Sequence, residues 1–277
     1  MHTKINKDTT ICMSLAARPT NFGTRFHNYL YAALNLNYLY KAFSSQDLVG
    51  VIAGVRALNF RGCAISMPFK EAVIPLVDEL DSSAAAIQSI NTIVNTDGHL
   101  KAYNTDYIAI VTLLKQYAIA KDVSFVLKGS GGMAKAVACA LRNLGFTRGV
   151  IVAMNPSSGQ ALADLCGFTW QPDMQGLAAD LLINATPLGM DGGPEAGKLC
   201  FSEPEIERAQ ILFDVVAMPA VTPAVAFAQS IGKTVITGSE VFAIQAVEQF
   251  QLYTGIKPSQ ELFEQAAAYS RSECSAC

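Results

Sequence analysis

Long apolar runs, clustered positive charge and paired histidines are what this chain lacks. No stretch approaches about 18 uninterrupted apolar residues, so no transmembrane helix is expected. The opening MHTKINKDTTIC has no long apolar segment of the secretory kind, and the expected location is the cytoplasm. With 20 Lys+Arg against 23 Asp+Glu, a net charge of −3 and a pI near 5.6, the chain offers nucleic acid no basic footprint. Of 3 histidines, His2 and His99 have no partner at a ligand spacing, and His27 lies on an amphipathic stretch where a structural role is the ordinary reading. Cys274 and Cys277 form one C-x-x-C with no second pair and no histidine nearby, so it reads as a frayed tail rather than half of a zinc set. Cys12, Cys63, Cys139, Cys166 and Cys200 sit among apolar neighbours and read as small hydrophobes. No metal site is expected.

What is present is the composition of a compact enzyme: 51% hydrophobic, 16% charged, with no polar low-complexity segment. A length of 277 residues suits one large domain or two of about 130. TTICMSL, NYLYKAF and RGCAISM read as strands. FHNYLYAALNL and SQDLVGVIAGVRALN read as helices, the second with Leu48, Val51, Ile52, Val55 and Leu58 at helical spacing. NTIVNTDGHLKAYNT reads as two strands about an Asp97-Gly98 turn, and Thr105 as the N-cap of a helix reaching about Gln116.

From Ser124 the alternation resumes: strand SFVLKG, helix GGMAKAVACALRNLG, strand GVIVAM, helix SGQALADLCG, strand DLLINAT. A Gly/Pro-rich loop leads to strand ILFDVVAM, helix TPAVAFAQSIG and strand KTVITG, and two helices close the chain. Trp170 reads as packing or a surface anchor. This pattern predicts an α/β fold of two α/β lobes with a cleft between them. The expected division is 1–104, completed by the helices of 240–277, and 105–239.

LKGSGGMAKAV places Gly129-x-Gly131-x-x-Ala134 between a strand and a helix. Gly129 permits a tight turn, Gly131 lets backbone approach a pyrophosphate, and Ala134 lets helix and strand pack closely. The helix N-terminus then presents N–H groups and partial positive charge to the anion, so Ser130, Gly131, Gly132 and Met133 line the expected dinucleotide site. The next strand ends AMNPSSG, with neither the acid that binds ribose hydroxyls nor the arginine that takes a 2′-phosphate. Asn155, Ser157 and Ser158 hydrogen-bond either group, and the choice between NADP and NAD stays open.

GCAISMPFKEAV begins as a strand, and Pro68 ends its ladder for want of an N–H. Lys70 follows, either as a solvated lysine in the first turn of a helix or as a functional ammonium at the mouth of a buried strand. The order of segments decides between them. GCAISMPFK, SINTIV, AYNTDY, GSGGMAKA, INATPLGM and Gly238 to Gln245 resemble, in sequence order, the motifs of the shikimate dehydrogenase family, most closely its divergent shikimate dehydrogenase-like branch.

The resemblance covers nearly the whole chain and implies a fold with an N-terminal substrate domain and a Rossmann-type NAD(P) domain. It implies Lys70 and Asp106 as the catalytic pair, and Ser66, Asn91 and Gln245 as holders of the ring hydroxyls of a cyclohexene carboxylate. Thr186 and Gly238 would line the cofactor, NADP or possibly NAD by the same resemblance. The implied activity interconverts shikimate and 3-dehydroshikimate, or acts on quinate or an amino-substituted relative, in a monomer or homodimer. A cofactor-binding regulator that has lost turnover is the alternative, and retention of both Lys70 and Asp106 speaks against it. Three positions depart from the family. The serines expected to hold the substrate carboxylate are Asn21 and Gly23 here, with Arg18 or Arg25 as substitute clamps. A tyrosine expected beside the nicotinamide is Ala217.

Overall fold

The structure is a computed structural model and describes residues 5–271. It divides into two compact units: the chain up to Thr105 together with the chain from Gln245 onward, and Asp106–Ile244 between them. His2 and the Cys274/Cys277 pair lie outside the described residues. No described helix is long and apolar enough to cross a membrane.

The first unit holds a six-stranded sheet. Its strands are β1 (Thr10–Leu15), β2 (Tyr38–Phe43), β3 (Gly62–Ile65), β4 (Glu79–Leu80), β5 (Thr92–Thr96) and β6 (His99–Tyr103), ordered β2-β1-β3-β5-β6-β4. β2, β1 and β3 run parallel through helices α1 (Phe22–Ala33) and α2 (Leu48–Ala57). β5 and β6 break the rule as an antiparallel hairpin. Asp97 and Gly98 turn it with φ of 51° and 88°, the double left-handed conformation that matches strand twist in a two-residue turn. A four-residue helix α3 (Ser82–Ala85), with Asp81 as its cap, is also present.

The second unit is a parallel sheet of β7 (Phe125–Lys128), β8 (Gly149–Val152), β9 (Thr169–Gln171), β10 (Leu181–Asn184), β11 (Ile211–Asp214) and β12 (Thr234–Thr237), ordered β12-β11-β10-β7-β8-β9. Numbered from β7, that is the 3-2-1-4-5-6 order of a doubly wound nucleotide fold, with its switch point between β7 and β10. Helices α4 (Thr105–Gln116), α5 (Gly132–Leu144), α6 (Pro156–Cys166), α7 (Glu203–Arg208) and α8 (Pro223–Ser230) accompany it. Buried on both faces, its strands read as continuous apolar runs: all four residues of β10 are buried. The long α9 (Gly238–Thr254) begins in this unit and ends in the first, where α10 (Gln260–Arg271) packs on α1.

Three local expectations change. Lys70 is not in the first turn of a helix: the chain turns at 68–73 and makes only a 3₁₀ turn at Ile74–Leu76, because Pro75 lacks the N–H that an α-helical ladder needs. The short α7 forms in a stretch that reads as loop, although its capping box, Ser202 with Glu205, is present in the sequence. β9 is a three-residue strand that the sequence pattern did not mark, and Trp170 anchors it by donating from Nε1 to the Ala153 carbonyl at 3.1 Å.

The first unit packs α1, β2 and α9 around an aromatic cluster of Phe26, Tyr31, Tyr40, Phe250 and Tyr253. His27 is part of it, 2% exposed and stacked on Tyr40 at 4.3 Å, with Nε2 sharing a 3.2 Å hydrogen bond with Gln249 Oε1. Burial pulls its pKa from 6.5 down to about 4, and the Gln249 bond only partly opposes this. The unfolded chain therefore takes up this proton first as pH falls. Stability from this group is intact above about pH 6.5 and is lost between there and about pH 4, at about 1.4 kcal/mol per pH unit. Urea unfolding at pH 7 and pH 5 should differ by about 2 kcal/mol from this residue, and His27→Gln should remove that difference. A variant that keeps the full drop would assign the pH dependence elsewhere.

Candidate functional site

In the second unit, the loops that follow the parallel strands share one edge of the sheet. Gly129 ends β7 with φ 123°, and a Cβ there would stand 2.7 Å from the Ala185 carbonyl oxygen, so both conformation and space demand glycine. Gly131 and Gly132 differ: a Cβ on either meets nothing within 4 Å. Their lack of side chains leaves open space before α5 instead of relieving a clash. Gly131 is the N-cap of α5, whose first N–H groups have no partner within the helix and carry the positive end of its dipole. Ala134 is fully buried and admits no larger side chain without overpacking. The helix start suits a diphosphate in charge, donors and room.

Ser130 Oγ lies 2.8 Å from Ser158 Oγ, which ties this loop to α6. Asn155 caps α6 by accepting from the Ser158 N–H at 3.2 Å, and its side chain is exposed. Thr186 donates its hydroxyl proton to Asn184 Oδ1 at 2.6 Å, so it shapes the loop after β10 first. A Cβ at Gly238 would come 2.3 Å from the Val216 carbonyl, so glycine there lets α9 start hard against the loop after β11.

Asp214, not singled out in the sequence, organises this edge. Fully buried at the end of β11, it accepts from Asn184 Nδ2 at 2.9 Å, Val216 N–H at 3.1 Å and Thr222 Oγ1 at 2.6 Å. Desolvation raises its pKa and these three donors oppose the rise. Asn184 holds Thr186, and Thr222 caps α8 through the Val225 N–H. One buried carboxylate thus joins the loops after β10 and β11. Its only signal in the sequence was an acid at the end of an apolar run.

In the first unit, Asn91 is the organiser. Its Oδ1 accepts from the Thr105 N–H at 2.8 Å and the Thr92 hydroxyl at 2.9 Å, while Nδ2 donates to Thr105 Oγ1 at 2.9 Å. Thr105 is thus the first residue of α4 rather than its cap, and a distant asparagine satisfies its N–H. Asp106 follows in the first turn, where the helix dipole favours a carboxylate. The Asn91 carbonyl accepts from Ile65 N–H and the Lys70 carbonyl from Ile90 N–H, both at 2.8 Å. Ser66, Lys70 and Asn91 therefore sit together at one end of β3 and β5. Gln249, one turn beyond Gln245 on α9, donates to Thr92 Oγ1 at 2.9 Å, a link the sequence reading missed.

Asn21 is exposed at the N-cap of α1 and makes no capping bond. A Cβ at Gly23 would make ordinary contact with Tyr40, 3.4 Å from Cε1. Arg25 donates to the Tyr269 carbonyl at 2.8 Å and stacks on that ring at 4.1 Å, so it is tied to α10. Arg18 is exposed. Among the described residues no three His, Cys, Asp or Glu side chains form a metal-binding group.

A family model described as the shikimate dehydrogenase substrate binding domain matches residues 22–93. A shikimate dehydrogenase-like protein of Haemophilus influenzae is 53% identical, over 97% of this chain and 99% of its own. A solved shikimate 5-dehydrogenase of Thermus thermophilus, in complex with NADP(H) and shikimate, is 27% identical with a TM-score of 0.80, over 94% of this chain and 99% of that one. A quinate dehydrogenase of Corynebacterium glutamicum, in complex with NAD, is 27% identical with a TM-score of 0.83, over 94% and 98%. The chain belongs to the shikimate dehydrogenase family, in its divergent shikimate dehydrogenase-like branch.

Proposed function

We propose that this chain is an NAD(P)-dependent dehydrogenase that interconverts a cyclic hydroxy acid, shikimate or a close relative, with its ketone. The observation that carries the reading is the open, glycine-lined start of α5 at the switch point of a parallel 3-2-1-4-5-6 sheet. Gly129 to Ala134 hold the diphosphate, Asn155 with its neighbouring serines the adenosine side, and Thr186 with Gly238 frame the nicotinamide side. NADP is the proposed dinucleotide, with NAD as the alternative, since neither a carboxylate nor a guanidinium follows β8. When bound, it supplies the hydride acceptor.

Most residues assigned to the substrate belong to the first unit, and Asp106 opens the second. Ser66, Asn91 and Gln245 bind ring hydroxyls, Asn21 faces the carboxylate, and Lys70 with Asp106 handles the proton of the oxidised hydroxyl. Removing a hydride makes that hydroxyl acidic, so an ammonium and a carboxylate assist whether they accept the proton or polarise the oxygen. A related acid such as quinate or an amino-substituted analogue is the second reading, favoured by Gly23 standing where a hydroxyl is expected.

Lys70→Ala should lower turnover by two to four orders of magnitude and leave dinucleotide affinity unchanged, as steady-state rates and calorimetry with NADPH would show. Near-normal turnover would remove Lys70 from the chemistry. Gly131→Val should abolish NADPH binding in calorimetry, because the branched side chain fills the space before α5 while the fold persists. The double variant Asn21→Ser with Gly23→Ser should lower the Michaelis constant for shikimate by about tenfold per restored donor, with little change in turnover. An unchanged or higher constant would discard shikimate in favour of another acid.

A further inference from the structure

Cys139 on α5 and Cys166, the last residue of α6, bring their sulfurs to 3.6 Å in the second unit. Cys139 is fully buried and Cys166 is 4% exposed. Two cations border them. Lys135 and Arg142 lie one turn before and one turn after Cys139 on the same face of α5, and Arg142 Nη1 donates to the Leu165 carbonyl at 3.0 Å, across to the end of α6.

The surroundings separate this pair from the other described cysteines. Cys12 and Cys200 each feel one cation, Arg61 and Lys128, yet desolvation prevails and pushes both thiols up to about 12, and Cys63 is pushed up as well. In the Cys139–Cys166 pair the two sulfurs share a hydrogen bond that either can donate, so one thiol supports a negative charge on the other, and Arg142 and Lys135 favour that charge against the desolvation that opposes it. Two thiols in contact and bordered by cations are the arrangement of a nucleophile with a resolving partner.

We propose that Cys139 and Cys166 form a reversible dithiol–disulfide site, with a peroxide as oxidant and a small thiol as reductant. The Cys139 thiolate attacks one peroxide oxygen and the O–O bond breaks; with a proton from solvent, this leaves a sulfenic acid and one molecule of water. Cys166 then attacks that sulfur. Its S–H proton leaves with the displaced hydroxide as a second water, and the S–S bond forms. Two thiols are oxidised by two electrons and the peroxide is reduced by two. The sulfurs need to close from 3.6 Å to about 2.05 Å for the bond to form. The bond would fasten α5, which begins at the glycine loop, to α6, which begins at Asn155 and is already joined to that loop through Ser130 and Ser158. The inference stands apart from the proposed activity.

The test is hydrogen peroxide titration of the full chain, followed by alkylation of the remaining thiols, proteolysis and mass spectrometry. A Cys274→Ser/Cys277→Ser version is run in parallel to silence the C-x-x-C. Both should lose two hydrogens in a Cys139–Cys166 linked peptide, restored by dithiothreitol, while Cys12, Cys63 and Cys200 stay alkylatable after unfolding. Cys166→Ala, a small truncation, should leave a sulfenic acid on Cys139 that dimedone traps, and Cys139→Ala should leave Cys166 unoxidised. The proposal is overturned by folded protein that yields no linked peptide, by linkage to a different cysteine, or by oxidation of Cys139 beyond sulfenic acid with Cys166 intact.

Discussion

The carboxyl edge of the parallel sheet depends on a carboxylate taken out of water. Burying a charge costs several kcal/mol unless partners replace its hydration, and Asp214 meets that cost with three donors from Asn184, Val216 and Thr222. Each donor belongs to a segment that would otherwise be an adaptable loop. The loop after β10 is shaped through Asn184 and Thr186, and the loop after β11 is closed onto α8 through Thr222. Gly129 and Gly238 then let neighbouring backbone approach Ala185 and Val216 closely, to distances no side chain would permit. A hydroxyl or amide could satisfy any one of these loops. A carboxylate, acceptor-only with about four lone-pair sites, serves several at once.

Asn91 does the corresponding work in the first unit. An amide offers donors and acceptors on one planar group, so it can cap the N–H of Thr105 and receive the Thr92 hydroxyl while donating to the Thr105 side chain. The result places Asp106 in the first turn of a helix whose start is fixed by another strand. It also ties the Ser66–Lys70 turn to the same strand through backbone bonds at Ile65 and Ile90. Asn91, which the resemblance assigns to the substrate, thus also holds the segments that carry Asp106, Ser66 and Lys70.

This division explains what was legible beforehand. The glycine loop could be read because its chemistry is local: three small residues within six positions, a strand before and a helix after. The parallel sheets followed from alternating patterns, and the Asp97-Gly98 turn from the only residues that tolerate its dihedrals cheaply. The Asp214–Asn184 bond and the capping by Asn91 were invisible because these partners stand 30 and 14 positions away. Spacing rules describe neighbours along a helix or strand, not bonds between loops that folding brings together. A helix after Pro68, one of the two settings open for Lys70, does not form for a local reason that was present in the sequence, since Pro75 interrupts the ladder. The α7 cap was likewise written in Ser202 and Glu205 and outweighed by the Gly/Pro content just before it.

The departures at the substrate end can now be separated by cause. Arg25 is spent on Tyr269, held by backbone and ring together, and is no longer a candidate clamp for a substrate anion. Gly23 has room for a Cβ against Tyr40, so packing does not forbid a serine there. Steric exclusion would have marked Gly23 as structural, like Gly129 and Gly238. Without it, the lost hydroxyl is a change in the chemistry offered to a ligand at unchanged backbone. On the proposed reading the site then meets its acid with the Asn21 amide and the exposed Arg18, a neutral donor and a solvated cation in place of two fixed hydroxyls. A site that has exchanged directed donors for a diffuse charge selects less by the position of a carboxylate. It selects more by the ring hydroxyls that Ser66, Asn91 and Gln245 are proposed to hold.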